Sequence, residues 1–219
     1  MGGVFGCIDD VPNEQRTQYD MSIVKKRNLP IIWLVGPPGS GRTTQANILS
    51  ENLGYDTISV AQLIRNEANL QTERGQTIKE ALEDKTKRIP DTMIVDIIKE
   101  EILKKVNEAK GFLLNGFPRT SKQAVLFAKE VKDVDAIIYL YSETYKMVSR
   151  VQEKKGDIDE ESVKNEIFKY VNEVKEGTAK FSAKVEKVSH IKQYICLTLL
   201  SKIIHIGICT IFGNLNANF

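Results

Sequence analysis

Ile31-Ile32-Trp33-Leu34-Val35-Gly36-Pro37-Pro38-Gly39-Ser40-Gly41-Arg42-Thr43-Thr44 is the stretch of this 219-residue chain that decides its fold. Five consecutive apolar residues, closed by a glycine and two prolines, have the length and punctuation of a strand buried on both faces. Residues 43–53 then carry a helical pattern. Between the two, Gly36, Gly39 and Gly41 let successive main-chain N–H groups turn toward an anion, and the helix start adds its dipole. Arg42 supplies a cation, and Thr43 and Thr44 supply hydroxyls. The blander reading is a Gly/Pro turn between a strand and a helix.

Working outward, short apolar runs at residues 55–58, 111–114 and 135–140 are separated by stretches with helical periodicity, the pattern of a parallel sheet with crossover helices. Pro90 opens the clearest helix, with Ile94, Ile98 and Ile102 down one side and Lys99, Lys104 and Lys105 on its others. The expected fold class is α/β, a doubly wound parallel sheet of the P-loop nucleoside-triphosphate hydrolase type. The glycine-rich turn matches a P-loop except that Arg42 stands where lysine is expected.

Composition narrows the partners. Apolar residues make up 42% and charged residues 27%, so wholesale disorder is excluded. Thirty-one basic against twenty-nine acidic side chains leave a net charge of +2, which gives no footprint for nucleic acid. Three cysteines, Cys7, Cys196 and Cys209, without CxxC spacing suit a reducing, cytoplasmic setting. Two terminal segments stand apart. Residues 1–29 read as an N-terminal extension, and Met1-Gly2-Gly3-Val4-Phe5-Gly6-Cys7 partly matches an N-myristoylation start, with Gly6 where Ser or Thr belongs. It is read either as an acylated start, reinforced at Cys7, or as a plain flexible extension. Residues 191–219 form an apolar tail whose only charges are Lys192 and Lys202. It is too short and too interrupted for a convincing membrane span and reads as a buried terminal element or a peripheral anchor.

A second motif names a family. Gly111-Phe112-Leu113-Leu114-Asn115-Gly116-Phe117-Pro118-Arg119, with Gln123 four residues on, closely resembles the signature G-F-L-[IL]-D-G-[FY]-P-R-x-x-x-Q of adenylate kinases and related nucleoside monophosphate kinases. The P-loop, Ile64-Arg65, Arg88-Ile89-Pro90 and the strand before Tyr141 follow in the family's order, so the resemblance covers about residues 30–188. It implies a domain over residues 30–190, with a helical monophosphate-binding insertion at about 59–90 and a short lid at about 150–162, like the small-lid subgroup that includes adenylate kinase isoenzyme 1. A monomer that transfers the γ-phosphoryl group of ATP to AMP or a related monophosphate, with Mg²⁺, is the implied activity.

The resemblance also assigns roles. Gly36, Gly39, Ser40, Gly41, Arg42, Thr43 and Thr44 would bind ATP. Arg65 and Arg119 would clamp the monophosphate through planar guanidinium forks, beside Gly116, Phe117 and Pro118. Gln123 would read the base, against the alternative of an exposed helical glutamine; the threonine usual at position 60 is Val60 here. Thr43 and Asn115 would be the metal ligands, Asn115 replacing an aspartate and so weakening the hold on a hard cation. Arg42, Arg119 and Arg150 would be the catalytic cations. Arg42 would displace the lysine geometry, and no arginine follows Arg150 in the sequence, leaving Lys154 and Lys155 as lid substitutes and Glu166 near an arginine position. One such arginine is worth about 10³–10⁵ in rate. Two readings therefore stand: a weakened kinase, or a nucleotide-binding module acting as sensor or scaffold.

Overall fold

The computed structural model describes residues 16–84, 86–156 and 158–189. The suspected acylation site at Gly2 and Cys7 and the tail at 191–219 lie outside the described residues. Among the described residues five parallel strands make one sheet: β1 Ile31–Val35, β2 Asp56–Ser59, β3 Phe112–Asn115, β4 Ala136–Tyr141 and β5 Val185–Ser189, in the order β2-β3-β1-β4-β5. Eight α-helices accompany them among the described residues: α1 Ser22–Arg27, α2 Arg42–Leu53, α3 Val60–Ala68, α4 Glu73–Glu83, α5 Asp91–Lys105, α6 Ser121–Glu130, α7 Thr144–Lys155 and α8 Glu160–Thr178. None of them is long and apolar enough to cross a membrane.

The central strand explains why one apolar run sufficed to read the fold. All five residues of β1 are buried, and its two faces feed separate cores. Ile31, Trp33 and Val35 point into the larger core with Ile94, Ile98, Ile102, Phe117 and Phe127, while Ile32 and Leu34 join Ala46, Leu49, Leu113 and Ile138 on the other side. Period-two alternation thus divides a continuous apolar strand between helices on both faces. Trp33 anchors the larger core, its ring meeting Phe117, Phe127 and Phe181 edge-on at centroid distances of 5.5, 5.7 and 5.2 Å. A third cluster, Met147, Val148, Val151, Val163 and Ile167, holds α7 against α8.

Three strands start and end one residue later than their apolar runs. The parallel ladder pairs Ser59 with Asn115 and Leu34 with Asn115, so strand geometry outlasts hydrophobicity and delivers a polar residue to the carboxyl end of β2 and of β3. Among the described residues strand β5 pairs only with β4, and its polar alternation left no apolar run to notice.

Ahead of β1, residues 16–29 are built into the fold. Met21, Val24 and Leu29 belong to the larger core. The Arg16 guanidinium, only 5% exposed, grips Asp96 of α5 at 2.7 and 3.1 Å and Glu130 of α6 at 2.9 and 3.1 Å. Lys99 bridges the same two carboxylates at 2.7 and 2.6 Å. The lysine is buried because two carboxylates satisfy it there. Beside this cluster, Tyr19 donates a hydrogen bond to Glu100, which also accepts from Arg74 of α4; Arg74 in turn holds Glu67 of α3 at 2.6 Å. The segment therefore runs from the hydrophobic core to the ion pairs that tie α3 and α4 to α5.

Candidate phosphate-binding site

The turn between β1 and α2 is fixed by close approach. Gly39 and Gly41 have φ of +77° and +89°, in the left-handed region that glycine tolerates. A Cβ on Gly39 would lie 2.2 Å from the Met147 carbonyl oxygen of α7, so side chains are excluded twice over. Among the described residues no side chain caps α2, and its first-turn N–H groups, free of intrahelical partners, open into a cleft of about 360 Å³. Arg42, Thr43 and Thr44 line one wall, and Arg150, Glu153, Lys154 and Lys155 of α7 line the other. Arg150 also donates from Nη1 to the Gly39 carbonyl at 3.1 Å, tying α7 to the loop. Cations of the loop and of α7, far apart in sequence, thus share one cleft. Glu153, an acid in the same wall, had no sequence signal.

Arg42 leaves this cleft with its guanidinium lying 4.9 Å from the ring centroid of Tyr170 and packing against Gly116, where a Cβ would come within 2.7 Å of Nη1. Arg119 lies over the same ring at 4.2 Å. Burial pushes the Arg42 guanidinium below its ordinary pKa; Tyr170 counters the shift and Arg119 adds to it. Among the described residues Arg42 makes no ion pair, whereas Arg119 pairs with Glu173 at 3.3 Å. Two cations on one buried ring, of which among the described residues only Arg119 has a carboxylate partner, form an arrangement suited to an anion. Nearby, the Ser40 hydroxyl is buried without a hydrogen-bond partner among the described residues.

Phe117 and Pro118 shape the turn after β3 that presents Arg119; their peptide bond is cis. Gln123 holds this turn. Its Oε1 accepts from the Arg119 main-chain N–H at 2.8 Å and its Nε2 donates to Asp91 at 2.8 Å. At 3% exposure it is not the exposed helical glutamine considered above, and its amide braces the start of α5 against Arg119. Asn115 is buried at the end of β3. Arg65 stands apart from these groups: exposed on α3, it donates to Gln62 at 3.1 Å and borders a separate cleft of about 1010 Å³ between α3 and α4.

The donor set for a divalent cation consists of the exposed Thr43 hydroxyl and the neutral Asn115 amide, and among the described residues no cluster of three His, Cys, Asp or Glu side chains could hold a metal. This fits Mg²⁺ carried chiefly by nucleotide phosphates, a common mode for that ion, rather than a resident metal centre.

Parallel strands with a glycine-rich loop and basic clefts at their carboxyl ends define a P-loop nucleotide-binding α/β protein. The adenylate kinase family model matches residues 34–186, and the chain belongs to that family. Adenylate kinase isoenzyme 1 of Gallus gallus is 32% identical over 155 residues, 68% of this chain and 79% of the relative. The Homo sapiens isoenzyme 1 is 30% identical over 67% of this chain and 77% of its own length. Isoenzyme 5 of Mus musculus is 30% identical over 58% of this chain but only 23% of its own length. Membership in the family supports a nucleoside monophosphate kinase function for the site.

Tyr170 and Glu173 were not singled out from sequence. Tyr170 falls on the apolar stripe Val163, Ile167, Tyr170 and Val174 and reads as core, which it also is. Its second use depends on where α8 crosses the sheet.

Proposed function

We propose that this protein transfers the γ-phosphoryl group of ATP to AMP or a related nucleoside monophosphate, more slowly than a kinase with a full set of lid arginines. The observation that carries the reading is the meeting of Arg42 and Arg119, from the donor and acceptor motifs, on one ring. A monophosphate oxygen attacks the γ-phosphorus in line as the bond to the β–γ bridging oxygen breaks, giving two nucleoside diphosphates when the acceptor is AMP. The chain's part is positioning and charge neutralisation. The α2 N–H groups and Arg42 hold the donor phosphates, Arg119 and Arg65 receive the acceptor after the α3–α4 insertion closes, and Arg150, Lys154 and Lys155 neutralise charge from α7. Thr43 and Asn115 would hold Mg²⁺, which would supply neutralisation of phosphate charge when bound.

The second reading, a nucleotide-binding sensor or scaffold with little turnover, is favoured by acids where phosphate chemistry wants cations: Glu153 in the cleft wall and Glu173 on Arg119. A coupled assay for ADP formation from ATP and AMP, run beside calorimetric titration of each nucleotide, separates them. ADP formation with binding supports the kinase, binding without turnover supports the module, and no binding of either nucleotide with Mg²⁺ overturns both.

A further inference from the structure

The substitution at the P-loop has a structural counterpart on α8. Arg42 carries a planar head where the family resemblance leads one to expect the point charge of a lysine. A planar guanidinium stacks on an aromatic face, which an ammonium does less well, and it needs more room. Both requirements are met around it. The Tyr170 ring, 2% exposed, lies 4.9 Å from the guanidinium carbon, and the bare Cα of Gly116 leaves the space that Nη1 fills. The Tyr170 hydroxyl accepts from the Gly36 N–H at 3.4 Å. The opposite motif reaches the same residue, since Arg119 lies 4.2 Å from the ring, and one helical turn on, Glu173 takes its Nη1. One side chain therefore touches the first glycine of the phosphate loop, its cation and the arginine of the acceptor turn.

We propose that Tyr170 is a positioning residue that turns Arg42 into a working phosphate cation and sets it in register with Arg119, so that arginine at this position is a rebuilt site rather than a damaged one. The inference rests on reading the site as that of a nucleoside monophosphate kinase. It has a direct corollary: returning lysine to position 42 removes the stacked head without restoring what a lysine needs, and weakens donor binding.

The test uses the full chain and four variants, Tyr170→Phe, Tyr170→Leu, Arg42→Ala and the Tyr170→Leu/Arg42→Ala double, with ATP and AMP titrated separately by calorimetry. Tyr170→Leu should weaken ATP binding about tenfold or more, the scale of a desolvated cation–π contact. Tyr170→Phe keeps the ring and should stay within about threefold of the wild type. In the Arg42→Ala background, Tyr170→Leu should cost less than about twofold in ATP affinity, because the group it positions is gone. Equal losses in both backgrounds, or a Tyr170→Phe defect as large as that of Tyr170→Leu, would overturn the proposal while leaving nucleotide binding intact. Failure of the wild type to bind either nucleotide removes the functional reading, and this inference with it. If Tyr170→Leu does not fold, Arg42→Lys tests the same contact from the other side: a drop in ATP affinity of about tenfold at unchanged charge is expected, and affinity equal to or tighter than the wild type overturns the proposal.

Discussion

Replacing Arg16 by alanine should destabilise the whole domain, although Arg16 lies far from the phosphate loop. The side chain is 5% exposed and makes four hydrogen bonds to two carboxylates that are themselves only 12% and 21% exposed. Removing one partner from a buried ionic group costs about 3–5 kcal/mol, because the charges left behind cannot regain their hydration. Lys99 remains within 2.7 Å of both carboxylates, so the lower end applies, about 3 kcal/mol. For a domain of this size that corresponds to a fall in melting temperature of about 6–12 °C. Trp33 is the chain's one tryptophan and fully buried, so its fluorescence in a denaturant titration reports the unfolding. A shift below about 0.5 kcal/mol, the ordinary range for surface substitutions, would refute the reasoning and mean that the segment from Arg16 to Leu29 does not hold α5 and α6 together.

Partial burial would raise the Glu130 and Glu100 carboxyls, but hydrogen bonds from Arg16 and Lys99, and from Arg74 and Tyr19, more than reverse this and hold both below their ordinary 4.5. Their contribution is present above that pH and lost as pH falls below it, so the melting temperature should decline in acid, and Glu130→Gln should flatten the decline. Burial and the bond to Glu100 push the Tyr19 hydroxyl up to about 12 from 10.0; its contribution is complete below pH 10 and fades between these values, and Tyr19→Phe should abolish that alkaline loss in the same thermal scans. Gly39→Ala should abolish ATP binding in calorimetry, since its Cβ meets the Met147 carbonyl at 2.2 Å; normal binding would show that the loop rearranges. Glu173→Gln releases Arg119 from an exposed ion pair and should tighten AMP binding by up to about fivefold, and unchanged affinity would mean that the carboxylate does not compete with phosphate. Glu166→Arg with Lys155→Arg should raise turnover by roughly 10² or more in the coupled assay, and no gain would place the main defect outside the lid.

The parts of the molecule that sequence disclosed are those governed by local rules. Apolar runs marked four strands because a buried parallel strand needs no polar face, and glycines marked the phosphate loop because backbone approach there forbids a Cβ. What stayed hidden depends on distant partners. Arg16 and Lys99 look like surface charges until Asp96 and Glu130 are brought to them, and Glu173 is an ordinary helical acid until the turn after β3 brings Arg119 to it. Gln123 was recognised by motif, but its hold on both Arg119 and Asp91 appears only once α5 and α6 pack together. Arg42 is the sharpest case. Residue by residue it reads as the loss of a lysine, and only the crossing of α8 reveals the ring and the glycine gap that accommodate it.

The strand order also carries a consequence for how the chain comes to be folded. β1 lies at the centre of the sheet, yet its partners Phe112 and Ala136 are synthesised long after it. A ribosome releasing this chain therefore exposes Ile31–Val35, the most apolar strand, well before either neighbour exists, and contacts between such remote segments form slowly. Arg16 waits as long, its second carboxylate arriving only with Glu130. The first half of the protein thus emerges as an adhesive intermediate whose yield in cells should depend on chaperone supply, and slowing translation ahead of residue 112 would lengthen its exposure rather than help it fold.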